Sequence, residues 1–217
     1  MKGRMISAGP PVLAPRAGGI RAVLFDYGGV IAEEGFRLGL EAIARRHDVD
    51  PAELRREAEE AIYDTGYIVG RGTEGDFWER LRLRTGIAGT DDALAEEILR
   101  RFVLRPRMIA AVRGLRRQGV VVAILSDQTD WLERLDARDR FFLEFGRVFN
   151  SYRLGKGKRD ATVFDDVVRA LGTVPGETLF VDDNPGHVER ARGRGLAVLL
   201  FRTEDAFLSE LSAWTAS

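Results

Sequence analysis

Arg21-Ala22-Val23-Leu24-Phe25-Asp26-Tyr27-Gly28-Gly29-Val30-Ile31 constrains this chain more than any other stretch. An apolar run leads straight into a carboxylate, and two glycines follow one residue later. Such a run, closed by turn residues, predicts a strand buried on both faces, as in a parallel sheet. In open α/β sheets ligands bind beyond the carboxyl ends of the strands, which places Asp26 where chemistry is usually done. Gly28 and Gly29 let backbone approach a ligand closely. Read alone, the same stretch is equally a strand ending in a turn that Asp26 caps.

The 217 residues suit one α/β domain, or one carrying an inserted subdomain, and are enough to bury a core. A formal net charge of -1 gives no electrostatic reason to invoke nucleic acid. The chain has no cysteine, which excludes disulfides, thiol catalysis and thiolate metal sites. Residues 1–19 carry basic residues and prolines without a continuous apolar run; they read as a flexible tail rather than a signal peptide or a membrane span. The expected setting is the cytoplasm, with no membrane partner and a monomeric or homodimeric chain.

Residues 33–104 differ from their flanks. They are rich in Glu, Arg, Ala and Leu, with helix starts but no convincing strand. Asp50-Pro51-Ala52-Glu53 sets a cap, a first-turn proline and a capping-box acid in order. Thr73-Glu74-Gly75-Asp76 and Thr90-Asp91-Asp92 are two more starts. Downstream, Pro106 opens a helix closed by Gly119, and Val120 to Leu125 is a second buried strand ending in Ser126-Asp127. A helix is expected over about 130–145, a short strand at 147–149, and a helix over 161–171. Thr178 to Val181 is a strand running into Asp182-Asp183-Asn184; a helix over 185–194, a strand over 197–201 and a terminal helix near Trp214 follow. Strands alternating with helices predict an α/β, Rossmann-like parallel sheet with helices on both faces. The core is expected to comprise 20–32 and 105–217, with 33–104 as a small inserted α-helical cap.

Three strands of this sheet thus end in polar residues, at Asp26, Ser126 and Asp182-Asp183. Between the last two lies Gly155-Lys156-Gly157-Lys158-Arg159, in a chain whose only other lysine is Lys2. This ordered set resembles the haloacid-dehalogenase-like hydrolase superfamily, from about Arg21 to the end, and within it the bacterial sugar-phosphate phosphatases with glycine two residues past the nucleophile. The resemblance implies that Asp26 is a nucleophile forming an aspartyl-phosphate. It implies that Ser126, Asp127 with neighbouring amides, and Lys158 hold the phosphate, with Lys158 also neutralising charge in the transition state. Mg²⁺ would be bound by Asp26, the Gly28 carbonyl, Asp183, and Asp182 directly or through another group. Lys156 is the alternative to Lys158, because Arg159 stands where the family often has proline.

Two further departures bear on activity. Gly28 replaces an acid that commonly protonates the leaving group, a contribution of ~10²–10⁴-fold. Its loss implies slow turnover, favouring good leaving groups such as the anomeric oxygen of a sugar 1-phosphate. Asp127 stands where asparagine is common and adds negative charge beside the phosphate. The expected activity is a Mg²⁺-dependent phosphatase acting on a small phosphorylated metabolite. The rival is a catalytically weak or inactive binding protein of the same fold; a haloacid dehalogenase is a third reading, set against by Asp182-Asp183. His187, four residues past Asp183, reads as an exposed residue or as a source of the missing proton. His47 reads as a solvated surface residue. Tyr63, Tyr67, Phe77 and Trp78 read as helical core, with a substrate pocket as the alternative.

Overall fold

The computed structural model describes residues 19–215. The tail expected over 1–19 therefore lies, except for Gly19, outside the described residues. Five strands form one sheet: β1 (Ala22–Phe25), β2 (Val121–Ser126), β3 (Arg147–Asn150), β4 (Thr178–Asp182) and β5 (Ala197–Leu200). Their order is β3-β2-β1-β4-β5, with every pairing parallel. The strand opening the motif is central: Phe25 pairs with Ile124 of β2 and Val181 of β4. That register brings the ends of β1, β2 and β4 to one edge.

The sheet is buried on both faces because its strands are apolar at successive positions, and successive side chains point to opposite sides. Val23, Phe25, Val122, Ile124, Leu179 and Val181 join one core cluster, while Leu24, Ala123, Leu125 and Phe180 join the other. Helix α5 (Pro106–Arg117) lays Met108, Val112 and Leu115 into the first, as α10 (Glu204–Thr215) does with Phe207. Helices α8 (Thr162–Leu171) and α9 (Pro185–Gly193) supply the second, through Val163, Phe164, Val167, Val188 and Ala191.

Between β1 and α5 lie α1 (Gly35–His47), α2 (Pro51–Asp64), α3 (Glu74–Thr85) and α4 (Asp91–Leu99). The three starts legible in the sequence are made by the capping side chains. Asp50 accepts from the Ala52 and Glu53 amides, Thr90 from the Ala93 amide, and Thr73 with Asp76 completes a capping box. Tyr67, Phe77 and Trp78 are buried, with Trp131 packed against all three. Among the described residues, no helix is long and apolar enough to cross a membrane.

The helix expected over 130–145 is not continuous. α6 (Trp131–Asp139) ends where Arg140 turns left-handed at φ 54°, and a short 3₁₀ segment occupies Phe141–Glu144. The Asp136 carboxylate accepts from the Phe142 amide at 2.7 Å and fixes that turn, a local contact that competes with helix continuation. A four-residue helix, α7 (Ser151–Leu154), then follows β3 directly.

Glu97 of α4 is buried, and its carboxylate takes Arg46 of α1 at 2.7 Å and Arg100 and Arg101 at 2.5 Å. Burial opposes its charge, but the hydrogen bonds from Arg100 and Arg46 outweigh that and lower its pKa to about 2. A depressed carboxyl stabilises the fold above its unfolded pKa and loses that contribution as pH falls toward the folded value. Glu97→Gln is expected to cost about 1 kcal/mol at neutral pH, since the arginines are solvated. The difference should shrink as pH falls below ~4, measured by urea unfolding of both proteins across that range.

Candidate active site

Asp26 follows β1, and its amide donates to the Val181 carbonyl of β4 at 2.9 Å, continuing the ladder one residue past the strand. Its Oδ1 accepts from the Tyr27 amide at 2.7 Å. Its Oδ2 lies 2.9 Å from the Lys158 Nζ, which is also 2.7 Å from Asp182 Oδ2. Lys158 is wholly inaccessible to solvent, and Asp182 equally so. Lys156 faces the other way, toward Asp166 at 2.5 Å and Thr162 at 2.8 Å. The structure thus brings Lys158 to the strand ends and leaves Lys156 on the rim of α8.

The loop carrying Lys158 is anchored by Asp127. Both Asp127 oxygens accept from the Lys158 backbone amide, at 2.8 and 3.1 Å, and Oδ2 also receives the Tyr63 hydroxyl at 3.3 Å. A Cβ on Gly157 would fall 2.9 Å from Asp127 Oδ1, so glycine permits this approach. The Asp127 side chain is therefore committed to positioning the lysine loop. Ser126 is buried at the end of β2, and its hydroxyl makes no hydrogen bond among the described residues.

The electrostatics follow from burying opposite charges together. Burial pushes the Asp26 carboxyl well above the ordinary range; Lys158 opposes this, and Asp182 and Asp183 add to it. Burial works against the Lys158 charge too, but Asp182, Asp26 and Asp127 outweigh it and hold the ammonium form. Asp182 is pulled upward by burial yet held well below its usual value by Lys158 and His187. Its Oδ1 accepts from the Asn184 amide at 2.7 Å and its Oδ2 faces His187 Nδ1 at 3.1 Å. His187 is thus partly buried against the centre, where the solvent-exposed reading had set it outside.

Asp183 faces Gly29 at close range. A Cβ on Gly29, which has φ +81°, would sit 2.1 Å from Asp183 Oδ2. Partial desolvation and the Asp182 charge raise the Asp183 carboxyl. Asp26, Asp182 and His187 offer donor atoms within 4.8 Å of one another. The oxygens of Asp182 and Asp26 each already hold a protein donor and keep further lone pairs, whereas the Asp183 side chain takes no hydrogen bond from any other described residue. Carboxylate oxygens with lone pairs to spare, gathered at the strand ends, fit a hard divalent cation.

One residue with a place here was not singled out from the sequence. Glu34 caps α1 by accepting from the Arg37 amide at 2.7 Å, and it lines the same cavity as Asp26. Its Oε1 lies 3.9 Å from where a Gly28 Cβ would stand, and burial raises its pKa. The visible signal was a carboxylate just ahead of a helix, indistinguishable from an ordinary cap. The cavity, of about 580 Å³, is also lined by Ile62 and Tyr63 of α2 and by Ile68.

Comparison with known proteins identifies the fold. An HAD family enzyme from Bacteroides thetaiotaomicron superposes with a TM-score of 0.69 at 20% identity, covering 85% of this chain and 94% of that one. The structure of that enzyme in complex with magnesium and inorganic phosphate gives 0.66 at 21% identity, covering 85% and 95%. L-2-haloacid dehalogenase from Xanthobacter autotrophicus gives 0.62 at 22%, covering 88% and 82%. These likenesses establish a shared fold. Bifunctional epoxide hydrolase 2 of Sus scrofa is 29% identical over 115 residues, half of this chain but only 20% of that protein's length. The sequence model of haloacid dehalogenase-like hydrolases matches residues 20–193, a span holding every strand end described above except that of β5, and the chain belongs to that family.

Proposed function

We propose that the protein is a Mg²⁺-dependent phosphatase that hydrolyses a small phosphorylated metabolite through an aspartyl-phosphate on Asp26. The observation that carries this reading is Lys158, a wholly buried ammonium held between Asp26 and Asp182. A lysine desolvated in this way serves a centre where negative charge accumulates. The magnesium and phosphate complex of the Bacteroides thetaiotaomicron relative supports the metal and the phosphoryl group. Helices α1–α4, within residues 33–104, act as the cap, because Tyr63 of α2 reaches the cavity and bonds Asp127.

An Asp26 oxygen attacks phosphorus, a new O–P bond forms, and the ester O–P bond breaks as the alcohol oxygen departs. Ser126 and the amides beyond β2 hold phosphate oxygens, and Lys158 offsets charge on the nucleophile. A Mg²⁺ ion held by Asp26, Asp183 and the Gly28 carbonyl would lower the repulsion between carboxylate and phosphate dianion. Asp182 acts through Lys158, keeping its ammonium in place. Water then attacks phosphorus, releasing inorganic phosphate and restoring the Asp26 carboxylate.

The missing acid at Gly28 is answered by Glu34, whose carboxyl, at the start of α1, lies 3.9 Å from where a Gly28 Cβ would stand. Glu34 protonates the departing oxygen and takes the proton of the attacking water. Glu34→Gln keeps the acceptor that caps α1 but removes the proton. It is expected to lower kcat for alkyl phosphates about 10²-fold, and for aryl phosphates, whose oxygens leave without help, much less. An equal loss on both ester types would remove Glu34 from this role.

The reading is tested by assaying a panel of phosphate esters with Mg²⁺ and with EDTA, beside chloride release from 2-chloropropionate. Metal-dependent phosphate release is expected. Chloride release without metal would convert the assignment to a dehalogenase, and no turnover of any kind to a binding protein.

A further inference from the structure

Besides Asp26, Lys158 and the other residues at the strand ends, the cavity wall carries two acids and four arginines: Glu34, Glu59, Arg37, Arg55, Arg159 and Arg190. Most of that charge is internally balanced. Arg37 is 2.7 Å from Glu41 and 3.8 Å from Glu34, and Arg55 is 3.8 Å from Glu59. Asp127 is taken by the Lys158 amide and the Tyr63 hydroxyl. Arg159 and Arg190 are left over, since neither forms an ion pair with any carboxylate of the described residues.

Arg159 is nonetheless held in place. Its Cζ lies 3.3 Å from the centroid of the Tyr63 ring, so the guanidinium sits over the face of that ring. Tyr63 is itself fixed by its bond to Asp127, and burial, with the Asp127 charge, pushes its pKa up to about 12. A guanidinium stacked on a ring keeps its in-plane N–H donors free. Arg159 follows Lys158 directly, so its backbone is set by the anchored loop that sets the lysine. Arg190 projects from α9, whose start carries Asn184 and His187 beside Asp182. Two uncompensated arginines on the wall of a phosphoryl-transfer cavity, one of them preorganised, form a receptor for an anion.

Resting on the phosphatase reading for the first anion, we infer that the substrate carries a second anionic group, a carboxylate or another phosphate, bound by Arg159 and Arg190. The substrate class is then a small phosphorylated acid or a bisphosphate. A neutral sugar monophosphate, the compound the Gly28 position suggests on leaving-group grounds, would leave both guanidinium groups without a partner.

The test compares ethyl phosphate, 2-phosphoglycolate and 1,2-ethanediol bisphosphate, which share a two-carbon frame and differ in the second group. Dissociation constants are measured by calorimetry with Mg²⁺ on an Asp26→Asn protein, and kcat/KM on the active chain. One or both probes that carry a second anionic group are expected to bind about tenfold or more tightly than ethyl phosphate, and the preferred one identifies that group. Arg159→Gln with Arg190→Gln should bring that ratio close to one; each single variant, checked by circular dichroism, should lower it partway. Equal affinity for all three probes, or a ratio that survives the double substitution, would overturn the subsite. Absence of hydrolysis with the binding preference intact would sink the phosphatase reading and leave the subsite standing.

Discussion

Asp26→Asn is expected to give a folded protein with at least about 10⁴-fold less phosphatase activity, the scale on which loss of a nucleophile acts. The amide matches the carboxylate in shape and can still accept the Tyr27 amide, but it cannot form the acyl-phosphate. The stability effect should run the other way. The folded carboxyl is raised well above its ordinary value, chiefly by burial, so the charged form costs stability at pH values above the unfolded pKa. Asparagine removes that cost and leaves Lys158 paired with Asp182 at 2.7 Å. The variant is therefore expected to unfold at equal or higher denaturant concentration at neutral pH, with the gain fading in acid. This opposition between function and stability is common at active sites. Retention of activity would exclude Asp26 as nucleophile; an inactive but unfolded variant would show that the carboxylate also holds the fold.

Lys158→Met is expected to damage both properties. Asp182 has no solvent exposure, and its low pKa depends on the ammonium of Lys158 and the ring of His187. Removing the lysine leaves a buried carboxylate short of its main counter-charge beside a second carboxylate, which typically costs about 3–5 kcal/mol. The cost should lessen in acid, where both carboxyls can protonate. Activity should fall about 10³-fold, with kcat reduced far more than KM is raised, because the lysine answers charge that develops during transfer. Lys156→Met is the control. Lys156 pairs with Asp166 and Thr162 on the rim of α8, so both melting and turnover should stay near those of the parent. A severe loss at Lys156 with a mild one at Lys158 would contradict the geometry.

Strand ends were legible without coordinates because an apolar run terminated by Asp or Ser has few alternatives once three of them recur in one chain. Helix starts were legible for the same local reason: Asp50, Thr73 and Thr90 cap helices whose first amides lie within three residues of them. The helix expected over 130–145 failed because Asp136 ends it with a side-chain contact to Phe142, a competition that periodicity does not register. At the centre, the order of Asp26, Ser126, Lys158 and Asp182 in the sequence resembled one family. Sequence alone could not decide between two lysines two residues apart, since both sit in the same glycine-spaced loop. The fold separates them in space: Asp127 grips the Lys158 amide and that side chain is buried between Asp26 and Asp182, while Lys156 pairs with Asp166.

The sequence by itself determined the parallel sheet, its buried strands and the residues presented at their ends, because each depends on the polarity of neighbours along the chain. The tertiary structure alone decided which charges meet. Glu34 comes within 3.9 Å of where a Gly28 Cβ would stand, Arg159 stacks on a tyrosine 96 positions earlier in the chain, and His187 turns in toward Asp182. These pairings depend on distance in space between residues with no local pattern in common, and they fix the electrostatics of the site.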